Sequence, residues 1–170
     1  MRAVCGGGND TGMRRYFEDL VIGEERESSR HAVRREDMVA FARQYDPQWF
    51  HADEEAARGS IFGEVVASGI YTMALWRRLD HEIAADIAWI CGVAWDEVRF
   101  SKAVRAGDRL RARARCVSKR ESAGDPRRGV AVFEYRLLND RDEVVFSCLS
   151  TNLVERRPAP AGVPAAGLTA

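Results

Sequence analysis

The chain has 170 residues, of which 46% are hydrophobic and 31% are charged, a composition that suits one globular domain and leaves little room for a second. Lys plus Arg and Asp plus Glu both number 26, so the formal net charge is zero, which argues against a general binder of nucleic acid or anionic membranes. No stretch approaches the roughly 20 apolar residues of a membrane helix. Four cysteines are scattered without a CxxC pair or a secretory leader, so we expect reduced thiols and a cytoplasmic protein.

The two ends of the chain differ in composition from its middle. Residues 1–13 contain a triple glycine, residues 157–170 hold three of the five prolines, and both segments have few side chains that could form a core. We therefore predict disordered segments at both ends and a single domain over residues 14–156.

The first elements of that domain are predicted to be a strand and a helix. Residues 25–33 alternate loosely between polar and apolar side chains, as a strand does, and residues 35–45 place apolar side chains at helical spacing. The helix must end by Tyr45, because the residue after it precedes a proline, which disfavours helical backbone. The segment from Asp46 to His51 is therefore expected to form a loop.

Two more helices are predicted before the last third of the chain. Residues 52–59 begin with acidic side chains and end at Gly59, a common left-handed helix stop, so they predict a short helix. Ser68 has the side chain of an N-cap, and the residues after it are apolar on most sides through Trp76. This pattern predicts a buried central helix rather than a surface helix.

The last third of the chain predicts only strands. Four long segments are rich in β-branched and aromatic residues, namely residues 87–100, 108–122, 128–140 and 143–156. Short polar, turn-forming segments join them, so we expect a four-stranded antiparallel meander. One buried helix against one long curved sheet makes the predicted fold class α+β.

A set of short motifs extends across the domain: Asp46, Pro47, Gln48, His51 and Asp53, then Phe62-Gly63, then Ala67-Ser68-Gly69, and finally GVAWDEVRF and VRAGDRL. Taken together, these motifs resemble those of the MaoC-type dehydratases and (R)-specific enoyl-CoA hydratases, which have the hot-dog fold. The resemblance covers most of residues 14–156. It implies a long antiparallel sheet wrapped around a central helix.

The resemblance also implies an activity and an assembly. It implies a homodimer, or a dimer of dimers, that binds a coenzyme A thioester in a tunnel at the subunit interface. The reaction would be hydration of a 2-enoyl thioester or its reverse. Asp46 and His51 would be the catalytic pair, and the amide of Gly69 would hold the thioester oxygen. No metal-ligand spacing is present, so no metal is expected, and no cofactor besides the coenzyme A of the substrate.

The chemistry of these residue types fits that reaction. Histidine titrates near neutral pH, and a hydrogen-bonded carboxylate beside it can orient the ring and share the proton transfers. A glycine at the start of a buried helix offers an unpaired N–H that a thioester oxygen can approach closely. In isolation, Asp46 could be only a turn residue, His51 only a helix-start residue, and Gly69 only a close-packing residue.

Six further residues are candidates for substrate binding: Trp49, Phe62, Gly63, Ser68, Lys102 and Arg105. The chain has Gln48-Trp49 where many relatives that use short acyl substrates have an Asn-Pro step. We therefore expect Trp49 to narrow or cap the acyl pocket, or else to pack outward. Ser68 either caps the central helix or holds a water molecule.

Four arginines alternate with small or apolar residues in one predicted strand: Arg109, Arg111, Arg113 and Arg115. In a strand all four lie on one face, which we expect to be a solvent-facing side of the sheet. The alternative is that one end of this ladder, with Lys102 or Arg105, contacts the phosphates of coenzyme A.

Three functions remain open from the sequence. The first is the hydratase or dehydratase. The second is a thioesterase on the same fold, which would need an acidic residue on the central helix, where none lies between Gly69 and Arg78. The third is a non-catalytic module that binds an acyl group or a partner subunit, which Trp49 and the absence of an evident second polar side chain on the helix would favour.

Overall fold

The computed structural model describes residues 14–158. The disorder predicted for residues 1–13, and for all but the first two residues of 157–170, therefore concerns parts of the chain outside the described residues. Arg157 donates hydrogen bonds to Glu18 at 2.9 Å and to Asp19 at 2.6 Å, so the chain is still attached to the domain there. No helix within residues 14–158 is long and apolar enough to span a bilayer.

Within the described residues the domain contains four α-helices, one short 3-10 helix at Phe17–Asp19 and six strands. The helices are α1 Arg35–Tyr45, α2 Trp49–Ala52, α3 Glu54–Ala57 and α4 Gly69–Ile83, and the strands are β1 Glu25–Glu27, β2 His31–Ala32, β3 Trp89–Phe100, β4 Arg109–Glu121, β5 Arg128–Leu138 and β6 Val144–Glu155. The predicted boundaries of α1 and the predicted start of α4 after Ser68 are confirmed. Ser68 caps α4, because its hydroxyl accepts the Tyr71 N–H at 3.1 Å.

Three local predictions need correction. The helix expected at residues 52–59 is shorter, since α3 is Glu54–Ala57 and ends before Gly59, which is not left-handed. The single strand expected at residues 25–33 is two short strands, β1 and β2, which both pair with β4. The loop expected before residue 52 contains the one-turn helix α2, so His51 lies on a helix. Asp53 ends that turn and caps α3 by accepting the N–H groups of Glu55 and Ala56 at 2.9 and 3.0 Å.

The sheet is antiparallel, with strand order β1-β4-β5-β6-β3. Strands β4, β5 and β6 form a meander, but β3 pairs with β6 and not with β4, so the predicted four-stranded meander is wrong at its first strand. The connection at residues 101–108 crosses the end of the sheet instead of turning back. Along it, Val104 O accepts the Ala67 N–H and the Gly107 N–H donates to Val33 O, both at 2.9 Å.

The core lies between α4 and the inner face of the sheet. Trp76 of α4 is fully buried, and its ring centroid lies 5.1 Å from Trp95, 5.0 Å from Tyr135 and 5.3 Å from Phe146. Replacing such an aromatic by alanine typically costs about 3–5 kcal/mol of stability. The packing of α4 against the sheet therefore fixes the position of that helix. A helix packed on an antiparallel sheet also confirms the predicted α+β class.

The four alternating arginines of β4 are expected to share one solvent-facing side of the sheet, and the structure bears this out only in part. Arg109 and Arg115 of β4 are exposed, as expected for a solvent-facing side. Arg111 is buried and pairs with Glu27 at 2.8 Å and with Asp142. One member of the ladder is therefore a neutralised internal cation.

Strand β3 is the edge of the sheet and is exposed along most of its length. Five of its apolar side chains are between 37% and 55% exposed, namely Ile90, Val93, Trp95, Val98 and Phe100. An edge strand with unpaired backbone groups and a row of apolar side chains is the kind of surface that another strand covers.

Candidate active site

His51 is fixed on α2 by a backbone carbonyl from the segment that leads into α4. The side chain is buried, and its Nδ1 lies 2.8 Å from Val66 O. A carbonyl oxygen only accepts hydrogen bonds, so Nδ1 carries the proton. In the neutral ring Nε2 is then free to accept a proton.

Asp46 follows the last residue of α1, where its backbone N–H donates to Ala42 O at 2.9 Å. Its Oδ2 lies 3.9 Å from His51 Nε2, and its Oδ1 accepts a hydrogen bond from Gln48 Nε2 at 3.3 Å. A separation of 3.9 Å is too long for a direct hydrogen bond. The expected pair is therefore brought together, but the ring is oriented by Val66 and not by the carboxylate.

A cavity of about 310 Å³ opens beside His51. Its polar side chains are those of His51, Thr72 and Lys102. The rest of its wall is formed by Phe50, Phe62, Val66, Ala67, Gly69, Phe100, Ala103 and Val104. Asp46 is not one of the residues that line the cavity, although its carboxylate is 3.9 Å from the His51 ring. The cavity is therefore mostly apolar with few polar groups, as small-molecule sites commonly are.

The N-terminus of α4 forms one side of the cavity. Gly69 is its first residue, and its N–H has no hydrogen-bond acceptor among residues 14–158. The Ser68 hydroxyl serves the N–H of Tyr71 and leaves that of Gly69 free. An unpaired N–H at the positive end of a buried fifteen-residue helix is suited to a partly negative oxygen.

Two of the six substrate-binding candidates, Phe62 and Lys102, line the cavity. Trp49 does not: it is 51% exposed and packs edge-on against Phe50 at 5.4 Å. Residues two apart on a helix point in different directions, so Trp49 faces away while His51 faces the cavity. Ser68 is fully buried in its capping role and is not a wall residue.

The remaining candidates shape the entrance to the cavity rather than its wall. Gly63 has a φ of +71°, which closes the turn after Phe62. Arg105 donates from Nε to Glu64 at 2.8 Å and so connects the 101–108 segment to this turn.

Lys102 forms an ion pair at the same entrance. Its Nζ lies 2.9 Å from Glu143 Oε1. Hydrogen bonds from the side chains of Asn139, Lys102 and Arg141 lower the pKa of Glu143 to about 2. The carboxylate beside Lys102 is therefore ionised throughout the neutral range, and an anionic ligand would compete with it for the ammonium.

Three residues of the site carry no role in the sequence-based hypothesis. Thr72 lines the cavity three residues after Gly69, and its hydroxyl donates to Ser68 O at 3.1 Å. It is a polar side chain on the central helix, which the sequence interpretation had found lacking, and the i,i+3 spacing from Gly69 is the signal that identifies it. Val66 contributes a backbone carbonyl and Phe100 contributes a ring, and neither contribution has a signature in sequence.

No carboxylate lines the cavity within residues 14–158. The nearest acidic residue of α4 in sequence, Asp80, is buried in the core near the other end of the helix. No three metal-ligating side chains come together in this described part of the chain. The chemically active groups at the cavity are therefore an imidazole, a carboxylate 3.9 Å from that imidazole and an unpaired backbone N–H.

Known proteins share both the sequence and the fold. A family model described as a MaoC like domain matches residues 19–132. The uncharacterized protein YdeM of Bacillus subtilis is 33% identical over 97 residues, which are 55% of this chain and 67% of YdeM. The 3-hydroxyacyl-thioester dehydratase Z of Mycobacterium tuberculosis is 36% identical over 69 residues, 39% of this chain and 46% of that protein.

A crystal structure of a MaoC-like dehydratase from Rhodospirillum rubrum is similar over 85% of this chain and 99% of its own, with 36% identity and a TM-score of 0.79. The predicted architecture, a hot-dog fold with a long sheet around a central helix, is thereby confirmed.

Proposed function

The chain belongs to the MaoC-like domain family, and on that premise we propose that it is a hydro-lyase for acyl thioesters of coenzyme A. It would add water to a 2-enoyl thioester or remove water from a 3-hydroxyacyl thioester. The observation that carries the proposal is the free Nε2 of His51, 3.9 Å from Asp46 Oδ2, beside a cavity that is also lined by Gly69, whose N–H is unpaired within residues 14–158.

The gap between His51 and Asp46 suits a water molecule better than a direct bond. Both Nε2 and the carboxylate are acceptors, and a water molecule has two hydrogens to donate, one to each. A water held in this way has an oxygen lone pair free for the β-carbon of an enoyl thioester. The two side chains then act as one unit on the nucleophile.

The reaction balances with these groups alone. The water oxygen bonds to the β-carbon while the His51–Asp46 pair takes one proton from that water. The electron pair of the carbon–carbon double bond moves to the thioester oxygen, which the Gly69 N–H stabilises. The pair then gives one proton to the α-carbon, the thioester carbonyl re-forms, and the pair regains its starting protonation.

The proposal includes a homodimer formed through β3. Its unpaired backbone groups and five half-exposed apolar side chains need cover, and a second β3 in antiparallel pairing provides it. Sedimentation should find little monomer at micromolar concentration, and Val93→Glu should dissociate the dimer. A wild-type monomer at that concentration would contradict this part of the proposal.

The entrance of the cavity gives the coenzyme a place to bind. Lys102 lines the cavity and Arg105 lies beside it, and both are engaged with single carboxylates. We expect one or both to exchange these partners for the phosphates of coenzyme A, which would make binding sensitive to salt.

Incubation with crotonyl-coenzyme A tests the proposed activity. A hydratase removes the enoyl absorbance without releasing thiol, a thioesterase releases free thiol, and a binding module does neither but retains the ligand. Asp46→Asn is the matched control variant and should lose hydratase activity, since it keeps the shape of the side chain and removes its charge. Thiol release, or binding without turnover by the wild-type protein, would overturn the hydratase proposal.

A further inference from the structure

The first residue of α4 is in unusually close contact with one aromatic ring. A Cβ built on Gly69 would lie 3.1 Å from Phe100 Cζ, 3.2 Å from Cε1 and 3.4 Å from Cε2. Carbon atoms in ordinary contact are about 3.5–4.0 Å apart. The tip of the Phe100 ring therefore occupies the space that any side chain at position 69 would use.

Phe100 is held in that position from behind. It is the last residue of β3 and pairs in register with Phe146 of β6, whose ring centroid lies 5.5 Å away. Phe146 is fully buried and packs against Trp76. With Phe146 on one side and the start of α4 on the other, the Phe100 ring has a fixed place in the wall of the cavity.

We propose that Phe100 is the wall that limits the length and branching of the acyl chain, and that position 69 is glycine because this wall fills the space of a Cβ. The inference rests on the proposed function and names its substrate class, which is short, unbranched enoyl thioesters. A thioester oxygen at the Gly69 N–H places the α- and β-carbons within a few bond lengths of the ring. The cavity, at about 310 Å³, is at the small end of ligand sites.

The other aromatic walls are less suited to this role. Phe50 packs against the catalytic ring, with centroids 4.4 Å apart, and against Phe62 at 5.7 Å. Shortening Phe50 would therefore disturb His51 as well as the cavity. Phe100 borders the position of the reacting carbons through Gly69, so it can change the shape of the pocket without changing the support of His51.

Trp49 offers a matched control for Phe100. Both are aromatic residues close to the site and both are 51% exposed, but only Phe100 lines the cavity. Phe100→Leu is the sharper test variant, because leucine remains apolar while it removes the Cε and Cζ atoms that meet Gly69.

The experiment compares kcat/KM for trans-2-octenoyl-coenzyme A with that for crotonyl-coenzyme A. Phe100→Leu and Phe100→Ala should raise this ratio about 10-fold or more, the scale expected when a pocket gains room for one or more methylenes. Trp49→Ala should leave the ratio within about 2-fold of wild type, well below the change expected of a pocket residue. An unchanged ratio in folded Phe100→Leu, judged by its melting temperature, overturns the inference.

A reciprocal substitution tests the glycine. Gly69→Ala keeps the N–H but pushes the ring toward the cavity, so it should lower kcat/KM for crotonyl-coenzyme A several-fold. Adding Phe100→Leu to it should restore most of the loss. A loss that the second substitution leaves unchanged would contradict the pairing of these two residues.

A binding measurement separates the inference from the proposed activity. If the wild-type protein turns over no enoyl thioester, the proposed function fails. Calorimetry with butyryl- and octanoyl-coenzyme A still measures whether Phe100 limits the length of acyl chain that binds. Phe100→Leu should then favour octanoyl over butyryl binding about 10-fold relative to wild type, and Trp49→Ala should not. Equal shifts in both variants, or none in either, would overturn the role of Phe100.

Discussion

Within the described part of the chain, helix α4 has an unpaired polar group near each of its ends, one beside the cavity and one buried in the core. At the N-terminus, the Gly69 N–H is unpaired and its residue lines a cavity that a ligand can enter. Toward the other end, Asp80 is only 3% exposed; one of its carboxylate oxygens pairs with Arg77, and the other has no hydrogen-bond partner within the described residues. An unpaired polar group is therefore available for function at one end and costs stability at the other.

The buried carboxyl has a perturbed pKa, and the cause is its location. Burial raises the pKa of Asp80, and this effect outweighs the opposing charge of Arg77 and the neighbouring Tyr135 hydroxyl. Burial also raises the pKa of Tyr135 above its ordinary value. The comparison thus predicts loss of catalysis from changes beside the cavity and changes in stability from changes at Asp80.

The largest expected effect is a loss of turnover when the residues beside the cavity are changed. His51→Ala and Asp46→Ala should each reduce turnover of crotonyl-coenzyme A by roughly 10²–10⁴-fold, the usual contribution of a general acid–base group. Because the proposed mechanism has the two side chains act on one water as a unit, the double variant should be little worse than either single variant. Steady-state kinetics, with circular dichroism to verify folding, measures this. Losses that multiply would show that only one of the two takes part in the chemistry.

The next largest effect is a dependence of stability on pH that arises from Asp80, near the buried C-terminal end of α4. The folded-state pKa of Asp80 is raised, so the folded protein binds the proton more tightly than the unfolded chain, and stability falls as pH rises from about 4 through the folded pKa. Each unit of elevation corresponds to about 1.4 kcal/mol. Asp80→Asn removes this loss, so urea unfolding should show the variant gaining stability over wild type between pH 4 and pH 8.

An acid with the opposite shift is the control for that experiment. The side chain and backbone N–H groups of Arg127 lower the pKa of Asp125 to about 2. Its contribution is present above the unfolded pKa and is lost as pH falls through about 2, the reverse of Asp80. Asp125→Asn should therefore lose stability relative to wild type as pH rises from 2 to 5. The same slope in both variants would refute the assignment of the effect to burial.

A smaller effect is expected at the entrance to the cavity. Lys102→Ala should raise KM for crotonyl-coenzyme A a few-fold with little change in kcat, because an exposed ion pair to a phosphate contributes only about 0.2–1 kcal/mol. The difference from wild type should shrink as salt is raised. Arg141→Ala is the matched control, since Arg141 pairs with the same Glu143 but does not line the cavity. A drop in kcat instead would place Lys102 in the chemistry.

The smallest effect is expected from removing the two terminal segments. Deleting residues 1–12 and 159–170 should leave the melting temperature nearly unchanged, since these segments have few apolar side chains to bury. Differential scanning calorimetry of the full and shortened chains measures it. A shift of many degrees would show that one of these segments packs on the domain.

Local pattern was sufficient for much of the fold. The apolar spacing of α1, the proline after Asp46, the cap at Ser68 and the β-branched strands each depend on neighbouring residues, and they predicted elements that the structure contains. The motif around Asp46 and His51 likewise identified the family, since its residues lie close together in the chain. Features that depend on neighbouring residues, such as helix caps, strand propensity and the Asp46–His51 motif, can therefore be predicted from the sequence alone.

Long-range packing decided the rest. Strand β3 pairs with β6 and not with β4, and the segment after β3 forms hydrogen bonds with Val33 and Ala67, which are distant in sequence. The same packing sets the 3.9 Å between Asp46 and His51 and turns Trp49 out of the cavity. It also places Phe100 over Gly69, thirty-one residues earlier in the chain. Such contacts depend on how the sheet closes around α4, and residue type and spacing do not encode them locally.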